Sequence, residues 1–254
     1  MDDRSTVRPR AAGRGFRITA GVLGVLLLLL SVPYAIATIV SSDPDQTIHR
    51  FHTTAGALPT AILAVALLVL ARRPGEIAAM QLFVAGAIVS TLVGLVAGDL
   101  ITGLYVVGVV LAAILLALYP ARADVWRIAR PRVTLLAAAV IAAVPAIAYA
   151  LTQSSFQRTS LDVHAQMHHY SGVAVAAVAL PAAVLVAAIG GMGWRLVGWI
   201  AAASFVLFGA STLAFSTYIS APEAVWGWAS VVAGAIVLGL TEVEARRIVE
   251  VPSA

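Results

Sequence analysis

Long, nearly uninterrupted stretches of apolar residues follow one another along almost the whole chain. A helix that crosses the hydrocarbon core of a bilayer needs about 20 mostly apolar residues. Eight stretches meet this requirement: Ile18–Val40, His52–Ala71, Ile77–Ala97, Leu100–Tyr119, Val133–Thr152, His169–Ile189, Leu196–Tyr218 and Glu223–Leu240. Their apolar residues do not alternate at period two, which disfavours strands. The sequence therefore predicts an all-α integral membrane protein with eight transmembrane helices.

The composition agrees with a membrane protein and removes several kinds of chemistry. Apolar side chains make up 61% of the residues and charged ones 11%, far from the balance of a soluble domain. The absence of cysteine excludes disulfides, thiolate-bound zinc, iron–sulfur clusters and thiol nucleophiles. All 16 basic residues are arginine, so lysine Schiff bases and lysine-containing phosphate loops are excluded as well.

The arginines predict an orientation, because short cytoplasmic loops retain positive charge. With the N-terminus inside, only Arg50 and Arg158 lie outside. The cytoplasmic set is Arg4, Arg8, Arg10, Arg14, Arg17, Arg72, Arg73, Arg122, Arg127, Arg130, Arg132, Arg195, Arg246 and Arg247. We expect a multi-pass protein of the cell inner (plasma) membrane with both termini cytoplasmic. The basic tail is expected to meet anionic lipid, not nucleic acid.

The two halves of the chain resemble each other. Val32–Ala37 followed by Ser41-Ser42 matches Val144–Tyr149 followed by Ser154-Ser155, and a polar loop and histidines come next in both halves. Four spans per half make the repeats point the same way, related by a pseudo-twofold along the membrane normal. The predicted parts are a basic cytoplasmic tail, two tandem four-helix bundles and a cytoplasmic C-terminal tail, at 1–17, 18–130, 131–243 and 244–254.

All five histidines lie at the outer ends of predicted helices two and six: His49, His52, His164, His168 and His169. If each helix begins a turn or two before the membrane, His49 is expected beside His52 and His164 beside His168, because helical residues three or four apart share a face. Such a pair chelates a metal at two points. The alternative is that these are interfacial side chains that end loops and bind nothing.

Two ligand sets follow from this pattern. A haem would use His52, His168 and His169, with Gly56 and Gly172 one turn further, where the absent side chain lets a flat macrocycle approach the helix. A zinc or copper ion would use imidazoles and a carboxylate from the short outer turn between helices three and four. That metal set is His49, His52, His164, His168 and Asp99.

The order of these features resembles the haem A synthase family, which has two tandem four-helix bundles with histidines at the outer ends of helices two and six. Gln166–His169 before a small-residue helix looks like that family's helix-six histidine, and His49–His52 looks like its counterpart at helix two. Thr91–Gly94 and Val206–Ala210 sit where the family has a Leu/Gly-rich segment. The resemblance implies the eight-span fold and a bound haem.

The chain also departs from that family. The family binds haem through further histidines of helices four and eight, but Leu100–Tyr119 and Glu223–Leu240 contain none. Asp45 is the nearest carboxylate where the family has a glutamate, and the external cysteine pair of many members is missing. Haem A synthesis itself is therefore not expected. A bound haem would need His52 facing His168 or His169, or one histidine and an open sixth position.

Three functions stay open, and whether the chain is an enzyme is undecided. The first is a haem or metal protein with a redox or cofactor-handling role. The second is a membrane hydrolase in which His52, His164 and His168 hold zinc, with Asp99 or Asp162 as the base. The third is an accessory subunit of a membrane protein complex, or a small-molecule transporter. Against transport, no charge is predicted near the bilayer centre.

Overall fold

The computed structural model describes residues 13–99 and 104–249, and this part of the chain is helical throughout, without strands. Three helices, α2, α6 and α8, are single turns, and the others are long. The bounds are α1 Arg14–Val40, α2 Pro44–Thr47, α3 Arg50–Arg72, α4 Ile77–Ala97, α5 Leu104–Leu118, α6 Arg122–Val125, α7 Val133–Thr159, α8 Val163–Gln166, α9 His169–Ile189, α10 Trp194–Ala214 and α11 Ala224–Val249.

Seven of the described helices are long and apolar enough to cross a membrane: α1, α3, α4, α7, α9, α10 and α11. The predicted class, an all-α polytopic membrane protein, is therefore confirmed. The fourth predicted span, Leu100–Tyr119, coincides with α5, which has 15 described residues. Residues 100–103 of that span lie outside the described part of the chain. The eighth crossing consequently stays a prediction.

Several helices are longer than the apolar stretches that predict them. The apolar run of α7 ends at Thr152, but the helix continues to Thr159. In this extension the hydroxyls of Thr152 and Thr159 donate to the carbonyls one turn earlier, Ala148 and Ser155. Because these hydroxyls find partners within the helix, polar residues are compatible with its continuation beyond the apolar segment. A hydropathy pattern does not detect such an extension.

The core of the bundle is built around α9. This helix packs against α3, α4, α7 and α10, and most of its residues are buried. Helix α1 packs along α3, and α11 packs along α10. On α1, α7 and α11 few side chains are buried although most are apolar, which is the kind of surface that a bilayer covers.

Glycines allow the closest helix pairs to approach. A Cβ placed on Gly56 of α3 would lie 3.9 Å from the carbonyl carbon of Gly172 on α9. A Cβ on Gly209 of α10 would lie only 2.6 Å from the carbonyl oxygen of Gly227 on α11. Small residues at helix crossings are the usual packing device of membrane bundles. Gly56 and Gly172 therefore bring the two histidine-bearing helices together.

Helix α5 runs from one end of the bundle toward the other. It follows Asp99, whose carboxylate contacts Ser171 near the start of α9. Beyond its last turn, the hydroxyl of Tyr119 donates to the carbonyl of Pro74, in the loop between α3 and α4, at 2.7 Å. That loop lies at the end of the bundle opposite the start of α9.

A one-turn helix precedes each histidine-bearing helix. The carboxylate of Asp43 accepts from the backbone N–H of Asp45 at the start of α2, and that of Asp162 accepts from Ala165 at the start of α8. Such side-chain caps satisfy backbone donors that a helix start leaves unpaired. Helix α8 stops at Gln166, and α9 begins at His169.

The junction between α8 and α9 corrects one sequence expectation. His168 has a left-handed backbone, with φ 60° and ψ 24°, so no continuous helix joins the two segments. The expectation that His164 and His168 share one helix face is therefore wrong. The residue pattern looks helical on both sides of the break, and a left-handed histidine leaves no compositional signal in it.

Candidate metal centre

Three histidines converge at the end of the bundle where α3 and α9 begin. His49 precedes α3, His164 lies in α8 and His169 opens α9. One ring nitrogen from each of the three lies within 4.8 Å of the others. The rings of His164 and His169 are both in contact with that of His49, with centroids 4.7 and 4.6 Å away. This histidine trio could hold a metal ion.

A fourth imidazole, that of His52, adjoins the trio. Its ring centroid lies 4.7 Å from that of His164 and 5.3 Å from that of His169. His52 is 2% exposed, and one helical turn separates it from His49. The cluster thus combines two histidines from the first half of the chain with two from the second half. We call these four residues the histidine cluster.

Three members of the histidine cluster are buried, His169 is half-buried, and most of the ring nitrogens lack a hydrogen-bond partner in the described part of the chain. His49 and His164 are 5% and 6% exposed. Five of the buried ring nitrogens have no hydrogen-bond partner among the described residues: Nδ1 of His49, both nitrogens of His52, Nε2 of His164 and Nδ1 of His169. A buried polar atom without a partner costs about 1–3 kcal/mol. A ring nitrogen that lacks a protein partner is free to bind a ligand: its lone pair can coordinate a metal, or its N–H can donate a hydrogen bond.

Burial and a neighbouring imidazole favour the neutral form of His49. Burial lowers the pKa of His49, and the neighbouring His164 lowers it further, while Asp45 opposes the shift. Several imidazolium ions at these distances would repel one another strongly. Since only a neutral imidazole offers its lone pair to a metal, the lowered pKa of His49 favours metal binding.

Tyr170 and Asp162 form one wall of the cluster. The Tyr170 ring contacts those of His52 and His164, with centroids 5.8 and 6.0 Å away. Its hydroxyl donates to Oδ2 of Asp162 at 2.7 Å. Burial alone would raise the pKa of Asp162, but hydrogen bonds from Tyr170 and from the backbone of Ala165 lower that pKa to about 2. Asp162 is therefore an ionised, hydrogen-bonded carboxylate.

His168 and Asp99 form a separate pair outside the trio. Nδ1 of His168 lies 2.6 Å from Oδ1 of Asp99, whose side chain is almost completely buried. The hydroxyl of Ser171 also donates to Asp99, and it contacts the carbonyl of His168 at 2.9 Å. Of the predicted metal set, His49 and His164 thus belong to the trio, His52 adjoins it, and the other two residues pair with each other.

His169, Tyr170 and Ser171 are the positions where sequence reasoning fell short. The sequence pattern predicts His169 only as a haem ligand and does not single out Tyr170 or Ser171. The break at His168 is what turns His169 toward His49, so no helical periodicity indicates its role. The adjacent pair His168-His169 was the available signal, because only one of two successive helical side chains can face a given site.

The cluster does not fit a haem between the predicted axial ligands. The rings of His52 and His169 are stacked face to face, at 19° with centroids 5.3 Å apart, whereas two axial imidazoles would point their ring nitrogens at an iron between them. His168 pairs with Asp99. Gly56 and Gly172 face each other across the helix crossing, so the space beside each glycine is filled by the other helix.

No protein-family model, curated protein or solved structure matches this chain significantly. The likeness to haem A synthases therefore stays an expectation from the sequence.

Proposed function

We propose that this polytopic membrane protein binds one transition-metal ion, zinc or copper, through His49, His164 and His169, with His52 as the fourth imidazole. The observation that carries the proposal is the convergence of the trio's ring nitrogens within 4.8 Å of one another. Their burial without protein partners supports it, because a coordinated metal would satisfy these nitrogens.

The donor set favours a restricted group of metals. Imidazole nitrogen suits zinc, copper, iron and nickel, whereas magnesium and calcium prefer oxygen ligands. The chain has no cysteine, so thiolate cannot contribute. Met167, the nearest thioether in the sequence, is exposed at the surface of the α8–α9 junction.

Four imidazoles would fill the tetrahedral positions of a zinc or copper ion. A zinc hydrolase instead keeps one position open for water and needs a nearby base. The two predicted bases are occupied, since Asp99 pairs with His168 and Asp162 accepts from Tyr170 and Ala165. We therefore favour a metal-binding, redox or metal-handling role over hydrolysis.

We further propose that the chain keeps the predicted eight-span, two-bundle organisation. Helix α1 packs on α3 as α7 packs on α9, and α3 meets α9 at the matching glycines Gly56 and Gly172. The direction of α5 supports a crossing at that point in the chain. With the arginine-rich ends cytoplasmic, the histidine cluster would lie on the extracytoplasmic side of the plasma membrane.

Metal titration of the purified protein tests the proposal. After removal of bound metal with a chelator, we expect the detergent-solubilised protein to bind one Zn²⁺ or Cu²⁺ ion per chain. The His164→Gln, His169→Gln double variant should lose more than the roughly 10–100-fold in affinity that removing a partner of a ligand costs. Met167→Leu is the control and should bind like the wild type.

Two results would overturn the proposal: a wild-type protein that binds neither ion, or a double variant whose affinity equals that of the wild type. The visible spectrum of the protein as isolated separates this proposal from the haem expectation. A Soret band that shifts on reduction would mean that haem occupies the cluster after rearrangement of His52 and His169.

A further inference from the structure

We propose that Asp99 is a positioning residue that captures His168 and thereby selects His169, not His168, for the metal site. The proposal rests on the proposed function, because it concerns how that site is built. It assigns a role to a buried carboxylate that lies outside the histidine trio, on the loop after α4.

The break between α8 and α9 decides which imidazoles can meet. In a continuous helix, residues five apart point about 140° away from each other, whereas residues four apart differ by only about 40°. An unbroken helix would therefore place His168 beside His164 and turn His169 away. Because the backbone at His168 is left-handed, His169 lies near His164 instead, and both residues belong to the trio.

A left-handed conformation is unfavourable for a residue other than glycine, so it needs support from its surroundings. At His168 this support comes from both the side chain and the backbone. Nδ1 of the ring lies 2.6 Å from Oδ1 of Asp99, and the carbonyl accepts from the Gly172 N–H and lies beside the Ser171 hydroxyl. Ser171 in turn donates to Asp99. Asp99 thus binds the break at two points.

Asp99 is itself held in place by the end of α4. Its N–H donates to the carbonyl of Gly94 at 2.8 Å, and the preceding Gly98 has a left-handed backbone with φ 68°. The guanidinium of Arg158, on α7, donates to the carbonyl of Val96 in the last turn of α4. These contacts fix the carboxylate relative to α7 and α9, which is what a positioning residue requires.

Two matched substitutions at His168 test the proposal. His168→Ala keeps a Cβ in the left-handed position and removes the contact with Asp99, so the break loses its support. His168→Gly also removes the contact, but glycine adopts this backbone without strain. We expect Zn²⁺ affinity to fall about tenfold in His168→Ala relative to His168→Gly, within the range that losing a partner of a ligand causes.

Asp99→Leu provides an independent test by removing the capturing carboxylate. We expect Zn²⁺ affinity to fall by about 10–100-fold. When Co²⁺ is bound in place of Zn²⁺ as a coloured probe, its visible spectrum should also change. Adding His168→Gly should restore both the affinity and the spectrum. Glu242→Gln, which removes an ion-pair carboxylate facing Arg195 at the opposite end of the bundle, is the control and should change neither.

The outcomes separate this inference from the proposed function. If the wild type binds no metal, both are overturned. If it binds metal but His168→Ala and His168→Gly have equal affinities, the inference alone is overturned. The inference alone is also overturned if Asp99→Leu leaves the affinity and the spectrum unchanged. If Asp99→Leu fails to fold, the comparison of His168→Ala with His168→Gly remains the test.

Discussion

His52 is the residue whose surroundings are hardest to explain without a ligand. It is nearly fully buried, and neither ring nitrogen has a partner among the described residues. Histidine is a costly choice for such a position, since an apolar side chain would pack there without an unsatisfied polar atom. The cost is compensated if the imidazole binds a metal. A substitution at His52 should therefore stabilise the metal-free protein and weaken the metal-bound one.

We expect His52→Leu to have opposite effects on the metal-free and the metal-bound protein. Without metal, removal of two unpaired nitrogens should stabilise the fold by about 1–3 kcal/mol. With Zn²⁺ present, loss of a ligand should reduce affinity and therefore the thermal stabilisation that zinc provides. Thermal unfolding in detergent, with and without Zn²⁺, measures both effects.

Leu67→Ala is the control for His52→Leu. Leu67 is also on α3 and is completely buried, but it carries no ligand atom and lies about four helical turns from His52. It should destabilise the protein equally with and without zinc, because it removes packing only. An equal response of His52→Leu in both conditions would contradict a ligand role for His52.

The histidines of the site could be predicted from the sequence, but which of them lie together could not. The two clusters of histidines are visible in the sequence, and they do converge. The partition into a trio with His52 and a separate His168–Asp99 pair depends on one left-handed residue. Residue types and helical spacing contain no information about that conformation.

At the level of helices, the crossing of α3 and α9 determines whether the two halves of the site meet. His49 and His52 belong to one side of this crossing, and His164 and His169 belong to the other. The two helices are in contact at Gly56 and Gly172, about one turn inside the cluster. The sequence indicated these glycines, but as a cradle for a macrocycle. Their contact with each other requires knowledge of which helices are neighbours.

We expect a graded response to larger side chains at Gly56. The Cβ of Gly56→Ala would make an ordinary contact 3.9 Å from Gly172, so metal affinity should change by less than about threefold. Gly56→Leu should force the helices apart at a cost of about 1–3 kcal/mol and lower the affinity at least tenfold. Isothermal titration with Zn²⁺ gives the affinities.

Gly239→Leu on α11 controls for the added side chain itself. A Cβ at this position has nothing within 4 Å, and the residue is exposed on the outside of the bundle. Its metal affinity should match that of the wild type. A wild-type affinity for Gly56→Leu would mean that the spacing of α3 and α9 does not control the site.

For the whole molecule, the apolar pattern predicted the class and most of the spans. Seven predicted stretches became helices that are long enough to cross a bilayer. The central position of α9 was not predictable, because every stretch is apolar and burial depends on which helices surround it. Orientation and the eighth crossing rest on the arginines and on the path of α5.

The absence of cysteine allows a direct test of this topology by labelling single introduced cysteines. Leu161→Cys, between α7 and α8, should react with a membrane-impermeant maleimide in intact cells. Met192→Cys, between α9 and α10, and Trp126→Cys, after α5, should react only after permeabilisation. All three native side chains are exposed, so accessibility reports the side of the membrane. External labelling of Trp126→Cys would contradict a crossing by α5.

The most direct test of the histidine cluster is X-ray absorption at the metal edge of the zinc- or copper-loaded protein. We expect three or four nitrogen ligands at about 2.0–2.1 Å for zinc, with the multiple-scattering pattern of imidazole rings. The pattern should be lost in the His164→Gln, His169→Gln protein. A coordination shell made mainly of oxygen, or one unchanged in that variant, would contradict the central claim that these buried histidines form a metal site.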